Sequence, residues 1–180
     1  MLTIAGLAAV QSPTLRVLGV QLAASSGTER NLEHAASLIR ENPGFSLYVL
    51  PELSSHGYSD AILADASAHA EDALDGKCAE FFRELSAEVN AHICYGFLRR
   101  TEAGRITICQ AVAAPTDKPE RSLSLVYDKM HLCDMGACSE VGYGLERGAA
   151  PGTFEVNGFR VGVTVCCASA GLDRMTCGFT

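Results

Sequence analysis

Apolar positions along the chain fall into two recurring patterns. Three runs, residues 15–22, 45–50 and 92–98, are short and mostly apolar, which predicts strands. The run 45–50 is nearly continuous, as is typical of a strand buried on both faces. Residues 31–40 and 77–91 instead repeat apolar side chains three and four positions apart, which predicts two amphipathic helices.

The second half of the chain is richer in strands. Residues 106–113 and 123–127 predict two more strands, whereas residues 133–151 show little periodicity and predict a long loop of the kind that is usually functional or mobile. Residues 154–161 predict a hairpin, because Asn157-Gly158 suits a type I′ turn between two alternating strands. Strands and helices mixed in this way predict an α/β layered fold with a mixed sheet.

Composition and charge narrow the classes of function. The chain has 180 residues, of which 48% are hydrophobic and 19% are charged, which predicts one folded domain over residues 14–180 after an N-terminal extension, residues 1–13. A net charge of −7 provides no electrostatic footprint for nucleic acid or for an anionic membrane. No apolar run reaches transmembrane length. We therefore expect neither a nucleic-acid nor a membrane partner.

The eight cysteines do not indicate a disulfide framework. Cys94, Cys109 and Cys166 lie inside apolar, strand-like runs, where reduced cysteine behaves as a small hydrophobic residue. A reduced, cytoplasmic protein is the better interpretation.

Two charged residues stand at strand ends, where open sheets place their ligands. Glu52 follows the run 45–50, and burial there raises the pKa of a carboxyl group toward the range useful to a general base. Lys129 extends the alternation of residues 123–127, so its stem should leave on the apolar face, where it needs a carboxylate or an anionic substrate. Taken alone, either residue fits an ordinary surface position as well.

A thiol stands at the end of a third apolar run. From Phe159 the alternation places Cys166 on the side with small and polar groups, while Cys167 continues the apolar face. Cys166 is therefore the better nucleophile candidate and Cys167 the better core residue, although a lone buried cysteine is usually inert. A carboxylate, a lysine and a thiol are together the groups needed to open an amide through a covalent thioester.

Three motifs in this order resemble the nitrilase, or carbon–nitrogen hydrolase, superfamily. Val49-Leu-Pro-Glu52-Leu with Gly57-Tyr58 resembles the glutamate motif of that family. Val126-Tyr-Asp-Lys129-Met-His-Leu132 resembles its lysine motif, and Phe159-Arg-Val-Gly-Val-Thr-Val-Cys166 resembles its approach to the cysteine. Each motif alone is weak, but their order, spacing and strand context agree over most of the chain.

The resemblance implies an αββα sandwich with mixed sheets and a hydrolase acting on non-peptide carbon–nitrogen bonds of a linear amide, nitrile or carbamoyl substrate. In that scheme Glu52 takes the proton of Cys166, whose sulfur attacks the substrate carbon. Lys129 and a backbone N–H near Cys167 stabilise the developing anion. Glu140 is the closest match to a second glutamate found in many relatives, and Glu146 is a poorer match. No cofactor or metal is implied.

The chain departs from the family pattern after the cysteine. The aromatic residue, the acid and the Pro-Glu pair that usually follow are missing, and the sequence continues for only 14 residues after Cys166. We therefore interpret residues 14–180 as a partial domain, incomplete at the C-terminus. We expect an uncovered apolar sheet face, and hence poor stability, weak activity, and a homo-oligomer or another association through that face.

Three alternatives stay open at this point. One is a Cys–His hydrolase that pairs Cys166 with His131 or His56. Another is a truncated, catalytically inert relative that acts as a binding partner of a full-length homologue. The last is a zinc module, although no Cys-x-x-Cys pair supports it. Its candidate ligands are His131, Cys133, Cys138, Cys166 and Cys167.

Overall fold

The computed structural model describes residues 13–24, 27–116, 122–135 and 138–166. The strands are β1 (Val17–Gly19), β2 (Leu47–Val49), β3 (His92–Arg100), β4 (Ile106–Ala113), β5 (Leu123–Asp128), β6 (Asp134–Met135), β7 (Cys138–Ser139), β8 (Gly152–Val156) and β9 (Phe159–Val163). The helices are α1 (Thr28–Glu41), α2 (Asp60–Ala64), α3 (Ala66–His69) and α4 (Lys77–Val89).

Five strands form one mixed sheet in the order β1-β2-β3-β4-β5. The first three strands run parallel, and β3, β4 and β5 pair antiparallel. The parallel pairs need crossover connections, which α1 and the segment from α2 to α4 supply. The predicted mixed sheet is thereby confirmed.

Helices α1 and α4 cover one face of this sheet and confirm the two helices predicted from apolar spacing. Phe82 of α4 stacks on Tyr95 of β3, with ring centroids 4.4 Å apart. Buried apolar residues from both helices form one cluster with those of the sheet. Its largest members are Leu32, Ile39, Tyr48, Leu50, Phe82, Leu85, Ile93, Tyr95 and Phe97.

The hairpin β8–β9 covers part of the opposite face. Phe154 and Val156 pack there against Leu47, Cys94 and Val112 of the central strands. The described residues thus form three layers (helices, sheet, hairpin), in the order that the predicted αββα sandwich requires.

The predicted hairpin turn is confirmed. Val156 pairs with Phe159, and the two residues between them, Asn157 and Gly158, have φ values of 50° and 79°. Both values are positive, as a type I′ turn requires.

Several elements differ from the sequence predictions. The strand predicted over 15–22 is reduced to β1, and the loop predicted over 133–151 contains the short pair β6–β7. Helices α2 and α3 were not predicted, because they are too short to show a repeat. The strand predicted to reach Cys166 ends at Val163, which pairs with Gly152, the first residue of β8, and Cys166 itself has a left-handed φ of 47°.

Two predicted features lie outside the described residues. They are most of the N-terminal extension and the tail from Cys167 onward. Within the described part, no helix is both long enough and apolar enough to cross a bilayer.

Candidate active site

A tight turn after β2 carries Glu52. The backbone N–H of Gly96 in β3 donates to Ser54 Oγ (3.0 Å), and a Cβ built on Gly96 would lie 2.6 Å from Leu53 N and 2.8 Å from Pro51 O. The turn therefore packs directly on the backbone of β3, at a position where only glycine leaves the space. This contact fixes the backbone on both sides of Glu52.

Lys129 follows β5 and is held by its backbone. The carbonyl of Lys129 accepts from Gly148 N at 2.9 Å, and a Cβ on Gly148 would lie 2.7 Å from the carbonyl carbon of Asp128. The Asp128 carboxylate accepts from Arg99 Nη1 (2.8 Å) and from Thr107 Oγ1 (2.7 Å). The contact with Gly148 and the hydrogen bonds to Asp128 therefore fix the strand end that carries Lys129.

The lysine and two carboxylates form a buried charge cluster. Lys129 Nζ donates to Glu52 Oε1 at 2.6 Å and to Glu140 Oε1 at 2.7 Å. The side chains of Lys129 and Glu140 are fully buried, and that of Glu52 is 17% exposed. Glu140 Oε2 accepts from Cys133 N (2.8 Å), and Tyr58 Oη donates to Glu140 Oε1 (2.8 Å). Desolvated charges of this kind persist because each one is paired.

Burial and neighbouring charges shift the acid–base properties of the cluster. Burial raises the pKa of Glu52, and the charge of Glu140 adds to this rise, while the bonds from Lys129 and Cys166 oppose it. Burial alone would lower the pKa of Lys129, but its bonds to Glu140 and Glu52 raise that pKa overall. The lysine therefore stays an ammonium ion, and Glu52 has the raised pKa that suits a general base.

Cys166 lies beside this cluster. Its thiol is near enough to the Glu52 carboxylate to affect the pKa of that group, and the residue is exposed. The backbone at Cys166 is left-handed, with a φ of 47°, a conformation that non-glycine residues adopt only rarely. The structure thus brings together Glu52, Lys129 and Cys166, which lie far apart in the sequence.

The other cysteines whose side chains are described lie in a different environment. They are all buried free thiols: Cys78, Cys94, Cys109 and Cys133. Burial raises the pKa of Cys94 to about 12 and raises that of Cys109 well above its ordinary value. Buried thiols with raised pKa values are poor nucleophiles, so Cys166 is the accessible candidate among the five.

The remaining sequence candidates are also placed. Glu140 contacts Lys129, whereas Glu146 lies on the surface and pairs with Arg105 at 3.4 Å. His131 is exposed, and His56 is buried with its Nδ1 2.6 Å from Ser55 Oγ. Across the described segments no group of three or more His, Cys, Asp or Glu side chains is arranged to hold a metal ion. The predicted backbone donor at Cys167 lies outside the described residues.

Sequence reasoning missed the contact between Tyr58 and Glu140, which are separated by 82 positions. The pair Gly57-Tyr58 was visible as part of the glutamate motif, but no pattern in the sequence indicates which residue its hydroxyl group reaches. The role of Gly96 was missed for the same reason, since its close approach to the Glu52 turn involves two separate elements.

Comparison with known proteins identifies the class. A family model for carbon–nitrogen hydrolases matches residues 6–170, so the chain belongs to the carbon–nitrogen hydrolase family. This result confirms the predicted family, and the layered structure agrees with the predicted fold class.

Individual relatives agree with this assignment. The chain is 26% identical over 159 residues to the mouse protein Omega-amidase NIT2, covering 85% of this chain and 55% of the relative. XC1258 of Xanthomonas campestris, a CN-hydrolase superfamily protein, superposes with a TM-score of 0.70 at 25% identity, over 84% of this chain and 53% of that one. Yeast Nit3, from the nitrilase superfamily, gives 0.71 at 22% identity, over 86% and 56%. The chain therefore spans about half the length of the relatives it matches.

Proposed function

We propose that this protein hydrolyses the carbon–nitrogen bond of a small linear carboxamide through a thioester on Cys166. The observation that carries the proposal is the convergence at Glu52, whose carboxylate accepts from Lys129 Nζ at 2.6 Å and has the Cys166 thiol as a neighbour. Of the three substrate types predicted, the carboxamide is favoured because the curated relative is named an amidase. The inert binding partner is not favoured by these similarities.

In the first half of the reaction, Glu52 accepts the thiol proton as Cys166 Sγ attacks the carboxamide carbon. The C–S bond forms while the carbonyl π electrons move to oxygen. Glu52 then passes the proton to the nitrogen, the C–N bond breaks, and ammonia or an amine leaves. The raised pKa of Glu52 suits both transfers, because the group must accept and release a proton within one cycle.

In the second half, Glu52 takes a proton from water, and the resulting hydroxide attacks the thioester carbon. The C–S bond breaks, the carboxylic acid leaves, and Cys166 recovers its proton from Glu52. The partly exposed Glu52 carboxylate is the group within this cluster that water can reach.

Lys129 supplies the positive charge for the tetrahedral intermediates. Its ammonium group has three N–H donors, of which two are directed to Glu52 and Glu140. The third is the donor that we propose for the substrate oxygen as negative charge develops there. The backbone N–H of Cys167 is the proposed second donor. Glu140 holds Lys129 in place through its own hydrogen bond from Nζ, at 2.7 Å.

Two features beyond the chemistry stay predictions. They are the cytoplasmic location and the homo-oligomer. Sedimentation of the purified chain would test the oligomeric state. A monomer with one sharp, reversible unfolding transition would contradict the predicted association.

The proposed reaction is tested by measuring ammonia release from a panel of short linear amides. We expect turnover by the wild-type chain and a loss of at least about a thousandfold in Cys166→Ala, because the covalent route has no substitute nucleophile. Cys94→Ala is the matched control, since it makes the same change at a buried thiol in the core. Unchanged turnover in Cys166→Ala would overturn the thioester mechanism. No turnover by well-folded wild-type protein would support the inert relative instead.

A further inference from the structure

We propose that Tyr58 is a positioning residue of this site, which acts through Glu140 to set how firmly Lys129 holds the base Glu52. The inference rests on the proposed function, since it assigns a role in the same reaction. It concerns a side chain outside the Glu–Lys–Cys set.

The geometry around Glu140 carries the argument. Glu140 Oε1 accepts two hydrogen bonds, from Lys129 Nζ at 2.7 Å and from Tyr58 Oη at 2.8 Å. The Glu140 side chain is fully buried, whereas Tyr58 is 42% exposed. The tyrosine therefore reaches inward from the surface to place a neutral donor on the oxygen that the lysine also uses.

One turn supplies both ends of this arrangement. Glu52 and Tyr58 lie six residues apart, and the turn between them is closed by a bond from Gly57 N to Leu53 O at 2.7 Å. Glu52 contacts Lys129, and Tyr58 contacts Glu140. The Lys129–Glu140 pair, which comes from the end of β5 and the end of β7, is thus held between two residues of the same turn.

Removing the Tyr58 hydroxyl group changes the balance between the two carboxylates. Glu140 would then keep Cys133 N on Oε2 and Lys129 on Oε1, and the loss of one donor draws the ammonium group toward Glu140 and away from Glu52. Because the bond and charge of Lys129 hold the pKa of Glu52 down against burial, a weaker contact lets that pKa rise further. A residue that only packs the turn would not produce this directional shift.

The test is the pH dependence of Cys166 alkylation by iodoacetamide, measured on the full chain by peptide mass so that each cysteine is scored separately. In the wild type we expect the acid limb of the rate profile to follow ionisation of Glu52. In Tyr58→Phe we expect that limb to move to higher pH by about one unit, which makes alkylation roughly tenfold slower on its acid side. Tyr48→Phe is the control, because its hydroxyl group donates to Asn42 O at 2.7 Å, outside the site.

Two further variants separate the possible outcomes. If Glu52→Gln keeps the wild-type profile, the base role fails and the proposed function fails with it. If Glu52→Gln loses the limb but Tyr58→Phe matches the wild type, only the role of Tyr58 is overturned. In a Glu140→Gln background we expect Tyr58→Phe to cause no further shift, and an undiminished additional shift would show that Tyr58 does not act through Glu140.

Discussion

Two regions of this molecule differ in the side chains that they bury. One is the sheet face covered by α1 and α4, and the other is the buried charge cluster at the ends of β2 and β5. Where α1 and α4 cover the sheet, the contacts are aliphatic and aromatic, as in the stacked pair Phe82 and Tyr95. Where β2 and β5 end, one ammonium group and two carboxylates are packed with little or no access to water.

Burial of apolar side chains and burial of charged groups affect the stability of the fold differently. Burial of apolar side chains stabilises the fold over a wide range of pH, because it involves no titrating group. Burial of charged groups is costly unless every partner is present, and apolar side chains in their place are often at least as stable. Stability alone does not require the buried charge cluster, which supports the catalytic role proposed for it.

Truncating a buried side chain on the helix-covered face of the sheet should give the largest loss of stability. Phe82→Ala removes a fully buried ring and its stack on Tyr95, and we expect a cost of about 3–5 kcal/mol in the free energy of unfolding. Denaturant titrations should return the same loss at pH 5 and at pH 8. A loss that changes strongly with pH would show that this face is coupled to the charged cluster.

Removing the ammonium group of Lys129 should lower the free energy of unfolding by a similar amount at neutral pH. This loss should depend on pH, unlike that of Phe82→Ala. Lys129→Met leaves the Glu52 and Glu140 carboxylates facing each other without their cation, at a cost of about 3–5 kcal/mol near pH 7. We expect this deficit to shrink on acidification, because protonation removes the unpaired charge. The same titrations at several pH values measure it, and a pH-independent deficit would contradict the account.

The buried histidine should make stability fall in acid. Burial lowers the pKa of His56 to about 4, and the nearby His69 adds to this effect. The unfolded chain binds a proton on this residue below about pH 6.5 that the folded protein accepts only near pH 4. Stability should therefore decrease as the pH falls through that window, by about 3 kcal/mol in total.

Glu52 contributes the opposite slope, since a raised folded-state pKa favours the folded protein as the pH falls. The histidine term is therefore isolated by comparing His56→Gln with the wild type. His34→Gln, on the exposed surface of α1, is the control. We expect the acid dependence to weaken only in His56→Gln, and equal curves for all three proteins would refute this assignment.

The smallest expected effect on stability is at Gly96. A methyl group there would meet the Gln110 side chain and the backbone of Pro51 and Leu53, so Gly96→Ala must displace the turn that carries Glu52. We expect a cost of about 1–3 kcal/mol and slower alkylation of Cys166. Gly19→Ala, at a strand position with open space around it, should leave alkylation unchanged. Equal behaviour of the two variants would mean that the close approach at Gly96 does not position Glu52.

Local patterns explain which parts of the fold were predictable. The 3.6-residue repeat of α1 and the Asn157-Gly158 turn are encoded within a few neighbouring residues, and both are confirmed. Helices α2 and α3 have five and four residues, which is too short for periodicity to register. The early end of β9 coincides with the start of its partner β8 at Gly152, which the apolar alternation of β9 does not reveal.

The sequence allowed the residues of the candidate site to be predicted, but not all of the hydrogen bonds between them. A lysine drawn inward at the end of β5 needs a carboxylate partner, and the structure supplies two, in Glu52 and Glu140. The hydrogen bond from Tyr58 to Glu140 is different, because it joins residues from separate loops. The roles of Glu52, Lys129 and Cys166 in turnover stay predictions that depend on this geometry.

The most direct test of the thioester mechanism is to incubate the protein with a short linear amide, quench the reaction with acid and measure the masses of the peptides. We expect an acyl group on Cys166 in the wild type, and none on that peptide in Cys166→Ala or Glu52→Gln. Turnover without any acyl-Cys166, or an acyl group on a different cysteine that tracks turnover, would contradict the mechanism.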